Sequence, residues 1–266
     1  MELTEKIRLY NMDCMELLKN TPDNSIDFLL QDPPYNTTAC DWEVELDFES
    51  LWKEWLRVCK PNAAMVFTAA QPFTTDLIIS NRKMFRYEWI WQKNRGNNFM
   101  NVKYMPFKEH ENIIVFYKEK PTYNAQRILR SYKSLKRRPI GSTGNSYSKN
   151  PKTRIHPTTG MKRLDESKID TDGMRQPSSV IYFETNKDRK GENKHQTAKP
   201  VELMRYLIRT YSNENDLVFD GYSGSGTTAI ACIEENRRFL GAELNKNFFQ
   251  DADNRIKNML LKPKLF

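Results

Sequence analysis

Between residues 25 and 42 the chain reads SIDFLLQDPPYNTTACDW, an apolar run of strand length that stops at Asp32-Pro33-Pro34-Tyr35. Proline fixes φ and removes a backbone donor, so this corner offers the Asp32 carboxylate and a rigid Pro33 carbonyl as acceptors, beside the Tyr35 ring. Two fixed acceptors next to an aromatic plate match a planar heterocycle with an exocyclic NH₂, such as adenine or cytosine. That amine is a poor nucleophile because its lone pair is delocalised into the ring. Accepting both of its hydrogens favours a more tetrahedral nitrogen and stabilises the charge that develops as it attacks. Taken alone, the tetrapeptide reads equally as a proline turn that ends a strand and buries a tyrosine.

A second punctuated strand is DLVFDGYSGSGTTAIA, where residues 217–219 run into Asp220, Gly221, Gly224 and Gly226 and a helix begins near Thr227. Strand, glycine turn and helix let a nucleotide-like ligand approach backbone N–H groups. No Gly-Lys-Ser/Thr follows, so this is not a phosphate loop. The next strand, RRFLGAEL, ends in Glu243, about twenty residues beyond the turn, where an acid can accept from ribose hydroxyls. Together they suggest a cofactor with a nucleoside and no need of a phosphate cradle. Ligands of open α/β sheets collect at the carboxyl ends of the strands near the topological switch point, so adjacent strands would make the two turns one cleft.

The elements that must position these turns follow a βα alternation, the pattern of a largely parallel sheet. Strands are expected at 7–10, 26–30, 63–68, 87–92, 112–117, 217–219 and 238–242. Ser50 is the expected N-cap of LWKEWLRVCK, and Pro200 the first helical residue of PVELMRYLIRTYS, with Val201, Met204, Ile208 and Tyr211 on one apolar face. GTTAIACIEEN and NKNFFQDADNRIKNML read as two more helices. The chain of 266 residues carries a net charge of +8, and the excess is local. Residues 118–180 hold fifteen Lys or Arg against five Asp or Glu, leaving 27 against 29 elsewhere. Such a segment, poor in apolar periodicity and attached to a near-neutral body, favours a polyanion partner, most simply nucleic acid. No run approaches the roughly 18 apolar residues that span a bilayer, and the start lacks a secretory profile, so a soluble, cytoplasmic protein without membrane contact is expected. Four scattered cysteines and three scattered histidines indicate neither a disulfide framework nor a metal site.

These motifs resemble the amino-group DNA methyltransferases that use S-adenosylmethionine. DPPY looks like the family's catalytic motif and FDGYSGSGTT its cofactor motif, with Tyr222 where Phe is usual. HQTAKPVELMRYLI is similar to the element upstream of the cofactor turn. NMDCMELL resembles a Gly-Asp-Cys element, with Met12 in place of Gly, and YEWIWQKN and EHENIIVFYKE match later strands. Catalytic motif first, basic segment next and cofactor motif last is the order of the beta class. The resemblance implies an α/β fold: a Rossmann-like mixed seven-stranded sheet flanked by helices, with an inserted basic target-recognition segment. Residues 1–119 would be the catalytic half, 120–178 the insertion and 179–266 the cofactor-binding half.

The resemblance further implies methyl transfer to adenine N6 in double-stranded DNA after base flipping, DPPY favouring adenine over cytosine N4. Asp32 and the Pro33 carbonyl would accept the N6 hydrogens, Tyr35 would stack on the base and Pro34 would stiffen the turn. Asp13 and Cys14 would hold the cofactor's adenine and Glu243 its ribose. Asp220, Tyr222, Gly224, Ser225, Gly226 and Thr227 would line the methionine end, with Asp32, His195, Thr197 and Lys199 near it and Lys199 at the carboxylate. His195 and Lys199 also read as structural or surface residues. Lys93, Arg95 and Asn98 of one loop, and Lys136, Arg137 and Arg138 of the basic segment, would bind DNA phosphates. The reaction calls for no metal, and the resemblance leaves room for a homodimer and a cognate restriction endonuclease. Two other classes are a silent nucleic-acid-binding module on this fold, which damage to DPPY or the glycine turn would mark although both are intact here, and an RNA or protein amine methyltransferase, which the same turn could serve.

Overall fold

Apolar residues on both faces of a central strand demand cover on both sides. In residues 26–31 Phe28 and Leu30 belong to one buried cluster and Leu29 to another, and the same alternation runs through Ile113, Ile114, Val115 and Phe116. The computed structural model describes residues 6–35, 46–96, 98–129, 173–185 and 198–261. Two compact units divide the chain, Met1–Asn124 with Ser178–Phe266, and Ala125–Pro177.

In the first unit the strands are β1 (Ile7–Tyr10), β2 (Ile26–Gln31), β3 (Cys59–Ala69), β4 (Phe85–Gln92), β5 (His110–Phe116), β8 (Val180–Tyr182), β9 (Leu217–Asp220) and β10 (Arg238–Ala242). They form an eight-stranded sheet in the order β1-β10-β9-β2-β3-β5-β4-β8. All pairings are parallel except those of β5 with β3 and β4. Helices α1 (Cys14–Lys19), α2 (Phe48–Val58) and α3 (Phe73–Ser80) supply Leu17, Leu18, Trp52, Trp55, Phe73 and Leu77 to the cluster on one face. Helices α4 (Val201–Tyr211), α5 (Thr227–Glu234) and α6 (Lys246–Leu261) supply Leu203, Leu207, Ile208, Ala231 and Ile256 to the other. The result is the expected α/β architecture of a mostly parallel sheet between helical layers. In the second unit β6 (Ile128–Leu129) pairs antiparallel with β7 (Met174–Arg175).

The seven expected strands are present, and β8 is an eighth. It is three residues long and exposes Val180 and Tyr182, so it has no periodicity to read; β4 recruits it by parallel pairing, Ile90 opposite Val180. At α2 the cap is Asp47, whose side chain accepts from Ser50 N, and not Ser50. Pro200 is the N-cap of α4 with extended ψ 135°, so the helix starts at Val201, one residue later than expected. No helix among the described residues is long and apolar enough to cross a membrane.

Candidate active site

The parallel strands deliver their carboxyl ends to one edge of the sheet, and β5, running the other way, delivers its start there. Along that edge lie Glu243 beyond β10, Asp220 at the end of β9, Asp32 beyond β2, Thr68 in β3, Glu111 in β5 and Lys93 beyond β4. The chain order reverses between β9 and β2, which pair at Phe28–Val218 and Leu29–Phe219, so the two punctuated turns leave neighbouring strands at the switch point.

Gln31, 1% exposed, ties the turns together. Its Nε2 donates to Phe219 O at 3.3 Å, and its Oε1 accepts from Gly221 N at 3.2 Å. The residue before Asp32 thus satisfies the backbone on either side of Asp220. Gly221 is required by close approach, since a Cβ there would lie 2.1 Å from Cys14 Sγ. Gly226 caps α5 with φ +74°, a left-handed conformation that favours glycine.

On the cofactor side, Tyr222 N donates to Asp220 Oδ1 at 3.0 Å. Glu243 Oε2 accepts from Gly224 N at 2.7 Å and Oε1 from Asn245 N at 2.8 Å. The acid expected at a ribose therefore pins the glycine turn, while each of its oxygens keeps a second lone pair. Burial raises the Glu243 carboxyl and pushes Asp220 up to about 7, against bonds from Thr228 and Tyr222 and with added repulsion from Asp32 and Glu243. Asp13 caps α1, accepting from Met15 N at 2.8 Å. The Cys14 thiol is raised by burial and carries no nucleophilic character. Ser225 and Thr227 turn toward Arg255 of α6, whose Nη1 lies 3.4 Å from Ser225 Oγ and 3.2 Å from Thr227 Oγ1. A turn edged by buried carboxylates suits ribose hydroxyls and a cationic ligand better than a phosphate. S-adenosylmethionine has that chemistry.

On the catalytic side, Tyr35 Oη lies 2.9 Å from both Asp32 Oδ1 and Thr68 Oγ1, and Thr68 donates to the same Asp32 oxygen. The Tyr35 ring stacks on Phe73 with centroids 5.4 Å apart. Lys199, expected at a cofactor carboxylate, also reaches this corner. Its Nζ is 2.7 Å from Asp32 Oδ1 and 2.8 Å from Oδ2, and lies over the Tyr35 ring at 5.2 Å. Burial opposes the Lys199 charge, but Asp32, Tyr35 and Glu111 outweigh it and hold its pKa well above the usual lysine value. Lys93 is a correction: expected on phosphate, it is 7% exposed and paired with Glu111, because β4 ends inside this cluster. Arg95 is exposed, whereas Asn98 clasps its own loop through Pro106 O and Lys108 N. His195, Thr197, Lys136, Arg137 and Arg138 lie outside the described residues.

A family model described as DNA methylase matches residues 26–254. The chain belongs to the N6/N4 DNA methylase family. It is similar to the DNA adenine methyltransferase YhdJ of Escherichia coli, 26% identical over 90% of this chain and 78% of that one. Among solved structures, an M1.HpyAVI–SAM complex aligns over 94% of this chain and 99% of that one, at TM-score 0.57 and 24% identity. PvuII DNA methyltransferase, named as cytosine-N4-specific, aligns over 99% and 89% at TM-score 0.64 and 15% identity. The last two show a shared fold.

Sequence reading missed Gln31, Thr68, Glu111, Thr228 and Arg255. Gln31, Thr68 and Glu111 each end or begin an apolar run with a polar side chain, which was a usable signal. Arg255 offered none, because its partners are 28 and 30 residues away in the chain.

Proposed function

We propose that this member of the family methylates adenine N6 in duplex DNA, with S-adenosylmethionine as donor. The observation that carries the reading is Gln31, which locks the Asp32 corner against the glycine turn so that an amine acceptor and a carboxylate-edged nucleoside site share one strand-end cleft. S-adenosylmethionine would bind between Asp13, Asp220, Gly224 and Glu243 and supply a methyl group already activated on a sulfonium. Asp32 and the Pro33 carbonyl would take the two amine hydrogens, and the Tyr35 ring, braced by Phe73, would stack against the base. The loop from β4 to β5 opens on the same edge and mixes Arg95, Lys103 and Lys108 with exposed Phe99, Met100 and Tyr104, a composition suited to nucleic acid. The basic segment holding Lys136, Arg137 and Arg138 would read the target and add phosphate contacts.

Cytosine N4 is the second reading. The acceptors address any exocyclic NH₂, and the cytosine-N4-specific relative shares this fold. Offering mixed-sequence duplex DNA, RNA and protein to the enzyme with isotope-labelled cofactor, then mapping any modified bases, tests both. Label on adenine N6 supports the proposal, label on cytosine N4 supports the second reading, and label in RNA or protein alone refutes both.

A further inference from the structure

Four charged side chains from separate parts of the sequence line up at the catalytic corner with alternating sign: Lys93, Glu111, Lys199 and Asp32. Glu111 Oε1 accepts from Lys93 Nζ. Glu111 Oε2 is buried and accepts no hydrogen bond from any described residue, with Lys199 Nζ 3.7 Å away. A buried carboxylate oxygen without a hydrogen bond is costly, and a displacement of Nζ by about 1 Å would bring it into hydrogen-bonding distance. Meanwhile Lys199 holds both oxygens of Asp32 and lies over the Tyr35 ring. Those are the acceptor and the plate that the substrate's amine-bearing ring would need.

We infer that Lys199 is a stand-in for the substrate amine at Asp32, and that Glu111, anchored by Lys93, is the second station its ammonium takes when the base enters. This rests on the methyl-transfer reading and adds a positioning role for Glu111 and Lys93. The exchange keeps the cluster's net charge constant, and Asp32 gives up the ammonium and accepts the amine hydrogens in its place. It also moves a positive charge away from Asp32 just where the attacking nitrogen becomes positive, freeing the carboxylate to stabilise that nitrogen. Without the second station, the ammonium would compete with the amine for Asp32.

The direct test is a crystal structure of the full chain with sinefungin and a duplex oligonucleotide carrying its mapped site. Lys199 Nζ should sit on Glu111 Oε2 and off Asp32; an ammonium still on Asp32, or turned to the sinefungin carboxylate, overturns the inference. In solution, Glu111→Gln, compared with wild type below both melting temperatures and at saturating cofactor, should slow single-turnover methyl transfer about tenfold or more with cofactor affinity near wild type. Equal rates, or loss confined to folding and cofactor binding, would be the contrary result. Adding Glu111→Gln to Lys199→Gln should cost no further rate, because the two act as one device; additive losses would separate them. Label on no DNA base would sink the functional reading before the complex is made, whereas a labelled site with Lys199 still on Asp32 sinks the inference alone.

Discussion

Asp220 is 2% exposed, and its carboxyl is pushed up to about 7 by burial, from an ordinary value of 3.8. Between those values the folded protein keeps a proton that the unfolded chain has released, so stability falls as pH rises from about 4 to about 7, and the cost is complete above that. Asp220→Asn should lessen the slope, and melting of the cofactor-free protein at about pH 5 and about pH 8 checks it: wild type loses more stability than the variant, in which the raised Glu243 carboxyl still titrates. At Asp32 the expected effect is on rate. Asp32→Ala should lower methyl transfer about 100-fold or more while cofactor affinity, measured by titration calorimetry, stays put. If cofactor binding disappears in a folded variant, Asp32 belongs to the other pocket.

At the scale of elements, the cleft depends on β2 and β9 ending level. Two cross-strand pairs and the Gln31 amide hold them, and the amide also answers the buried Gly221 N–H. Gln31→Leu keeps the volume close and leaves that donor unpaired, at about 1–3 kcal/mol. Denaturant unfolding should show the loss, and cofactor affinity should weaken with it because the glycine turn is no longer tied to β2. A stability change with unaltered affinity would limit Gln31 to packing. The two helical layers are set by the same alternation that makes β2 and β5 two-faced. Trp52 and Trp55 are core residues: Trp55 is fully buried, and Trp52 donates Nε1 to Ser80 Oγ at 2.7 Å.

Across the whole molecule, charge is divided. The body outside residues 118–180 is near neutral, and the excess of Lys and Arg lies in that segment and in the exposed loop after β4. Duplex affinity should therefore fall linearly on a log–log plot against salt. Reversing Arg137 and Arg138 to Glu should weaken binding and lessen the slope by about one to two units, since each neutralised phosphate contributes about 0.9. Fluorescence anisotropy across a salt series reads both, and an unchanged slope would put the duplex elsewhere.

Much of this protein was legible in the sequence because its information is local. Seven strands announced themselves as apolar runs bounded by turn residues, and the two turns carried residue types whose chemistry can be read without neighbours. Their order along the chain pointed to an amino-group DNA methyltransferase, the family found. Tertiary structure alone decided the partners of the charged residues. Lys93, Glu111, Lys199 and Asp32 come from four separate places, and nothing in their sequence surroundings distinguishes a phosphate-binding lysine from one buried in an ion pair. Burial and distance set that difference, and both arise only when β2, β3, β5 and β4 are laid side by side with their reactive ends on one edge.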